Sequence, residues 1–177
     1  MLLLLDIGHS AKKPGACNKE GGICEFPFNE QLASEIVDGY AGIHSIKKSY
    51  RKNYDTLPDH INQQNPDYVF SLHCNAFNEK ASYTTVLYYK NSERSKHLAE
   101  ILQQELVAAL GLRNAGIKPI DEEDRGGSQV KNITCPNVIA EPFFIDNDSD
   151  LETAQAKRKA LITAYITAFE KAAKIPV

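Results

Sequence analysis

The stretch Tyr68-Val69-Phe70-Ser71-Leu72-His73-Cys74-Asn75-Ala76 decides the fold. Its first five residues are a short apolar run, the pattern of a strand buried on both faces as in a parallel sheet. Pro66, two residues upstream, requires any preceding helix to have ended. The residues after the run are polar and chemically versatile. In an open parallel sheet ligands sit beyond the carboxyl ends of the strands, so His73 and Asn75 fall where a site belongs. Strand alternation puts Ser71, His73 and Asn75 on one face and turns Cys74 away, which disfavours a cysteine nucleophile there.

The same arrangement recurs on both sides. Leu2 to Leu5 is an apolar run that leads into Asp6-Ile7-Gly8-His9-Ser10, and Val138 to Ala140, after Pro136, ends at Glu141. Thr84 to Tyr89, rich in β-branched and aromatic residues, is a fourth strand, and Ile43 to Tyr50 is a weaker candidate. Between these runs lie helical stripes: Phe28, Leu32, Ile36, Val37 and Tyr40, then Leu98, Ile101, Leu102, Leu106 and Leu110 ahead of a stop at Gly111. A shorter helix is predicted from about Thr56 with Pro58 in its first turn. A last helix is predicted from the capping box Ser149-Asp150-Leu151-Glu152 through Phe169. Gly111 to Thr134, with Asp121-Glu122-Glu123-Asp124-Arg125-Gly126-Gly127, reads as a long polar loop, a solvated connection able to line a cleft. The β-α alternation predicts an α/β protein: a single domain over residues 1–177 with a mostly parallel central sheet flanked by helices on both faces.

Composition narrows the function classes. At 177 residues, 42% hydrophobic and 24% charged, the chain suits one core and not two. A net charge of -3, with Lys and Arg scattered among Asp and Glu, offers no basic stripe for nucleic acid. No stretch approaches the roughly 20 apolar residues of a transmembrane segment. Asp6 cuts the Leu2 to Leu5 run short of a signal-peptide core, so the expectation is synthesis in the cytoplasm without a signal peptide. No feature specifies an oligomeric state. Cys17, Cys24, Cys74 and Cys135 form no CxxC pair, so reduced thiols are expected, with a Cys17 to Cys24 bridge as the alternative.

Two imidazoles, His9 and His73, and a carboxylate thus gather at one sheet edge. Two histidines plus a carboxylate are the ligand set of a hydrolytic zinc site, which keeps a position open for water. Such chemistry needs a second carboxylate, free of the metal, to move the proton. Glu25, just ahead of the first amphipathic helix, and Glu141 are the two candidates, and residue type alone leaves their roles open. His44, His60 and His97 suit surface or capping positions.

At this point the chain resembles the type 3 N-acetylmuramoyl-L-alanine amidases of bacteria and their phages, in order along nearly its whole length. Asp6-Ile7-Gly8-His9 is similar to the family's opening Asp-Pro-Gly-His. Glu25 with Asn29 and the following Leu32-Ala33 resembles the family's ligand Glu and its helix. Ser71-Leu72-His73-Cys74-Asn75-Ala76 resembles its Ser-x-His-x-Asn-Ala segment, and Val138-Ile139-Ala140-Glu141 with Phe144-Ile145-Asp146-Asn147 the segment bearing the catalytic Glu. Ile7 stands where the family has Pro, Ser10 where Gly is common, and Phe143 where a Gly generally precedes the Phe.

The resemblance implies that His9, Glu25 and His73 bind Zn2+, that Glu141 is the general acid or base, and that Asn75 contacts substrate. It implies a hydrolase for the amide bond between N-acetylmuramic acid and L-alanine in peptidoglycan. With no export signal expected, a phage endolysin released onto the wall is favoured over a sporulation enzyme. Two other classes stay in view: a thiol-dependent cell-wall peptidase using Cys24 or Cys74, and a non-catalytic wall-binding module on the same fold.

Overall fold

Six strands and six helices succeed one another along residues 1–174, the part of the chain that the computed structural model describes. The elements are β1 (Leu2–Ile7), α1 (Glu25–Gly39), β2 (Ser45–Tyr50), α2 (Leu57–Asn62), β3 (Tyr68–Leu72), β4 (Thr84–Tyr89), α3 (Glu93–Leu110), β5 (Asn114–Ile120), α4 (Gly127–Asn132), β6 (Asn137–Glu141), α5 (Asp148–Ala156) and α6 (Arg158–Ala172). The strands form one sheet in the order β2-β1-β3-β6-β4-β5. β1 pairs in parallel with β2 and β3, and β3 with β6. β4 runs antiparallel to β6 and carries β5 parallel to itself, so the sheet is mostly parallel with a reversed edge.

Burial follows the pleat. Leu3, Leu5 and Ile7 of β1 and Phe70 of β3 face the larger core, built with Leu32 and Ile36 of α1, Leu102 and Leu106 of α3, and Tyr165 and Phe169 of α6. Leu4 and Val69, one residue out of phase, face Leu57 and Ile61 of α2. Leu87, Ile139 and Ile120 meet Val130 of α4 on that same second side. Because both faces are covered, the central strands read as mostly apolar runs without alternation. The parallel connections bring the carboxyl ends of β1, β3 and β6 to one edge, and the site lies there.

Three expectations change. Residues 111–134 are not one loop: they contain β5 and α4. Gly116 and Pro119 weaken the strand signal, and Pro119 is tolerated because β5 is an edge strand; α4 is only six residues long and begins at glycine. The last helix starts earlier and is split. Asn147, not Ser149, is its N-cap, with the Asn147 side chain accepting from the Asp150 N–H. Lys157 then interrupts the helix between α5 and α6, although the apolar positions of both halves face one core.

Candidate metal centre

His9 lies two residues beyond β1, with a left-handed backbone (φ 68°) that few non-glycine residues adopt. His73 directly follows β3, its N–H donating to Ala140 O of β6 at 3.0 Å. The two imidazole rings meet edge to face with centroids 5.1 Å apart. Gly8 leaves room for this: a Cβ there would sit 2.5 Å from Cε1 and Nε2 of His73.

Glu25 arrives from the other side as the first residue of α1, rather than ahead of it, and is 2% exposed. Its Oε1 accepts from the Ala16 N–H at 2.9 Å and its Oε2 from the Cys74 N–H at 3.1 Å. Gly15 (φ +84°) lets the backbone pass this close, since a Cβ would lie 2.7 Å from His9 Cδ2 and 2.9 Å from Glu25 Oε1. The segment is stapled: Cys17 and Cys24 form a disulfide, so the expectation of reduced thiols is corrected for this pair. The reason is local. Asn18 N–H donates to Ile23 O and Asn18 Oδ1 accepts from Gly21 N–H, which folds a tight turn and sets the two cysteines opposite each other as a bridge pair.

The three side chains converge. His9, Glu25 and His73 each offer a ligand atom within 4.8 Å of the others. Glu25 Oε2 is 3.3 Å from His9 Nε2 and 3.5 Å from His73 Nδ1. Zinc bonds of about 2.0–2.1 Å at tetrahedral angles put neighbouring donors about 3.3–3.4 Å apart, so these separations suit that ion. His9 Nε2 is buried without a hydrogen-bond partner, as a metal donor would be. Burial acts to raise the Glu25 carboxyl, but the adjoining His73 and His9 rings outweigh it and hold the group well below the usual carboxylate range. An ionised, buried carboxylate between two imidazoles is a donor set that could hold a cation.

Glu141 ends β6 opposite Thr85 of β4 and lines the same open cleft as His9, Glu25 and His73. Its carboxyl is raised, first by burial and further by the charge of Glu25, against the attraction of His73. The two carboxyls of the cleft are thus shifted in opposite directions, Glu25 down and Glu141 up. The structure therefore brings all four predicted residues to one cleft, and Asn75 lines it as well. Asn75 Oδ1 is turned onto its own loop, accepting from the Ala76 N–H at 3.0 Å.

A family profile for N-acetylmuramoyl-L-alanine amidase matches residues 3–171. The chain belongs to that family. Among curated relatives of this amidase-family chain, the N-acetylmuramoyl-L-alanine amidase LytC of Bacillus subtilis (strain 168) is 28% identical over 169 residues, covering 89% of the chain and 33% of that protein. The chain thus spans about a third of LytC. The fold is shared with the catalytic domain of CwlV, an N-acetylmuramoyl-L-alanine amidase from Bacillus (Paenibacillus) polymyxa, at a TM-score of 0.82, 16% identity and 99% coverage of both chains. The catalytic domain of the CD27L endolysin targeting Clostridia difficile gives a TM-score of 0.80 at 21% identity, with 95% and 96% covered.

The amidase-family site also has a layer that residue reading missed. Beneath His73, Asp6 Oδ2 accepts from Ser71 Oγ at 3.0 Å and from Gln129 Nε2 at 3.1 Å, all three buried. Gln129 comes from α4, 123 residues from Asp6, and no local pattern marks it. The thiols fit no nucleophile role. Cys24 is in the disulfide, and Cys74 is buried against Asn29, its thiol pushed well up by burial and then by Glu25.

Proposed function

We propose that the protein is a zinc-dependent N-acetylmuramoyl-L-alanine amidase, its residues 1–177 forming one catalytic domain that hydrolyses the amide between N-acetylmuramic acid and L-alanine in peptidoglycan. The observation that carries this reading is the convergence of His9, Glu25 and His73, with His9 Nε2 unpartnered, beside a half-buried Glu141 whose carboxyl is shifted the opposite way from Glu25. Family membership supplies the substrate class.

In this proposal His9, Glu25 and His73 hold the zinc ion. When bound, zinc supplies a Lewis acid for the scissile carbonyl and lowers the pKa of an attacking water toward about 7. Glu25 stays ionised because its oxygens accept from two backbone N–H groups and face both imidazoles. Glu141 takes the proton of the attacking water as the new carbon–oxygen bond forms. The same carboxyl then delivers that proton to the alanine nitrogen as the carbon–nitrogen bond breaks, leaving the lactyl acid and a free amine. Asp6, Ser71 and Gln129 fix the end of β3 and so the approach of His73. Asn75, on the cleft wall, contacts the bound substrate. The setting we propose is wall lysis by an endolysin-like enzyme after release from the cytoplasm; no helix among the described residues is long and apolar enough to cross a membrane.

The experiment is end-group analysis of purified peptidoglycan after digestion. New amino termini that are all L-alanine, with no new reducing sugar ends, are expected. New reducing ends or other amino termini would assign a different bond and refute the proposal.

A further inference from the structure

Strand order gives the site a direction. His9 follows β1, His73 follows β3 and Glu141 ends β6, so across β2-β1-β3-β6-β4-β5 the ligand positions come first, Glu141 next, and β4 and β5 beyond it. An amide whose carbonyl lies over His9, Glu25 and His73, and whose nitrogen is protonated by Glu141, points its amine side toward β4 and β5. Its sugar side faces β1 and β2. This polarity rests on the proposed amidase activity.

On the amine side the register places Lys118 of β5 opposite Leu87, and Leu87 opposite Ile139, two residues before Glu141. Paired residues share a sheet face, so Lys118 rises from the face that carries Glu141. Neighbouring strands are about 4.8 Å apart, which puts the Lys118 backbone roughly 10 Å from β6. Arg125 enters the same cleft from the turn before α4, where Gly126 packs so closely that a Cβ would lie 2.6 Å from Ile139 Cδ1. Between Lys118 and Glu141 runs β4, where Thr85 and Leu87 line the cleft.

Both cations are exposed, and among the described residues neither has a carboxylate within ion-pair distance. The nearby acids are engaged elsewhere. Asp121 pairs with Lys90, Glu122 with Lys131, and Asp124 accepts from the Asp121 N–H at 2.8 Å. Lys118 and Arg125 therefore flank the path of the leaving peptide, with Glu123 and Asp124 the nearby acids outside any ion pair.

We infer that Lys118 and Arg125 form a carboxylate subsite for the stem peptide, receiving a carboxylate carried by the residue that follows the alanine. That residue's Cα is about 3.8 Å past the alanine Cα, so its carboxylate falls between Glu141 and the two cations. Charge-assisted hydrogen bonds make such a site sensitive to amidation of that one group.

The test uses uncrosslinked peptidoglycan strands whose second stem residue carries either a free carboxylate or its carboxamide. The wild type is expected to cleave the acid form roughly tenfold better at low substrate. The variant Lys118→Gln with Arg125→Gln is expected to lose that preference and cleave both forms at about the wild-type carboxamide rate. Arg51→Gln, on the β2 side, is expected to keep it. Equal cleavage of both forms by the wild type, or equal slowing of both in the double variant, would overturn the subsite. Release of no L-alanine termini from either form would instead refute the amidase reading, and the subsite with it.

Discussion

Replacing Gly8 with alanine would set a methyl group 2.5 Å from Cε1 and Nε2 of His73 and 2.7 Å from Nδ1. Ordinary carbon contacts lie near 3.5–4.0 Å, so the ring has to retreat by about 1 Å. Gly8 has no left-handed φ, so alanine brings no backbone strain of its own there. A metal ligand tolerates only about 0.2 Å of displacement, and disturbing what orients a ligand costs up to about 100-fold in metal affinity. Zinc at 100 times the wild-type Kd stabilises the native protein by about 2.7 kcal/mol; after a 100-fold weakening about 0.4 kcal/mol remains. The zinc-dependent increment thus shrinks by about 2.3 kcal/mol, or about 5–9 °C in unfolding temperature for a chain of this size. The assay is thermal unfolding of both proteins, with chelator and with that fixed zinc concentration. Gly22→Ala is the control: its φ is +63° with open space around the Cβ, so it costs about 1–2 kcal/mol of strain and leaves the zinc increment intact. A Gly8→Ala protein that keeps the full increment would refute the packing of Gly8 against a zinc-binding His73.

Reducing the Cys17 to Cys24 disulfide, or replacing both residues with serine, reopens an eight-residue loop and is expected to cost about 2.5 kcal/mol; calorimetry with and without reductant measures it, and an unchanged transition would contradict a native bridge. Glu141→Gln is expected to leave zinc binding and unfolding temperature unchanged while lowering turnover by about 100-fold or more. Gln129→Ala strips a donor from the buried Asp6 carboxylate and is expected to cost about 1–3 kcal/mol of stability, measured by denaturant unfolding, with no loss expected if Gln129 is idle. Burial raises the Asp6 carboxyl, so its protonated form is favoured in the native state; that contribution is complete below about pH 4 and is lost as pH rises through the native value, a slope that Asp6→Asn should remove.

The parts of this structure that are visible in sequence are those whose physics is local. Tyr68 to Leu72 is apolar apart from Ser71 because both of its faces are covered, and His73 and Glu141 stand out because they directly follow or end such runs. Glu25 is harder: what brings it to the two histidines is the return of the 15–25 segment over the sheet edge, held by the backbone N–H groups of Ala16 and Cys74. β5 escapes notice because an edge strand needs only one partner and tolerates Gly116 and Pro119. The split at Lys157 is invisible because α5 and α6 bury their apolar faces in one core, so the helical period runs through the break. Gln129 carries no signal at all, since its partners Asp6 and Ser71 are distant in sequence. The Cys17 to Cys24 bridge depends on the turn at Asn18, which residue spacing alone does not describe.

The most direct test of the central claim is removal of metal from the L-alanine-releasing reaction with phenanthroline, followed by zinc add-back and a count of zinc per chain. Loss of release, recovery with one zinc bound per chain, and no recovery in a His73→Ala variant are the results predicted for a site built from His9, Glu25 and His73. Release that proceeds unchanged in the chelator would contradict it.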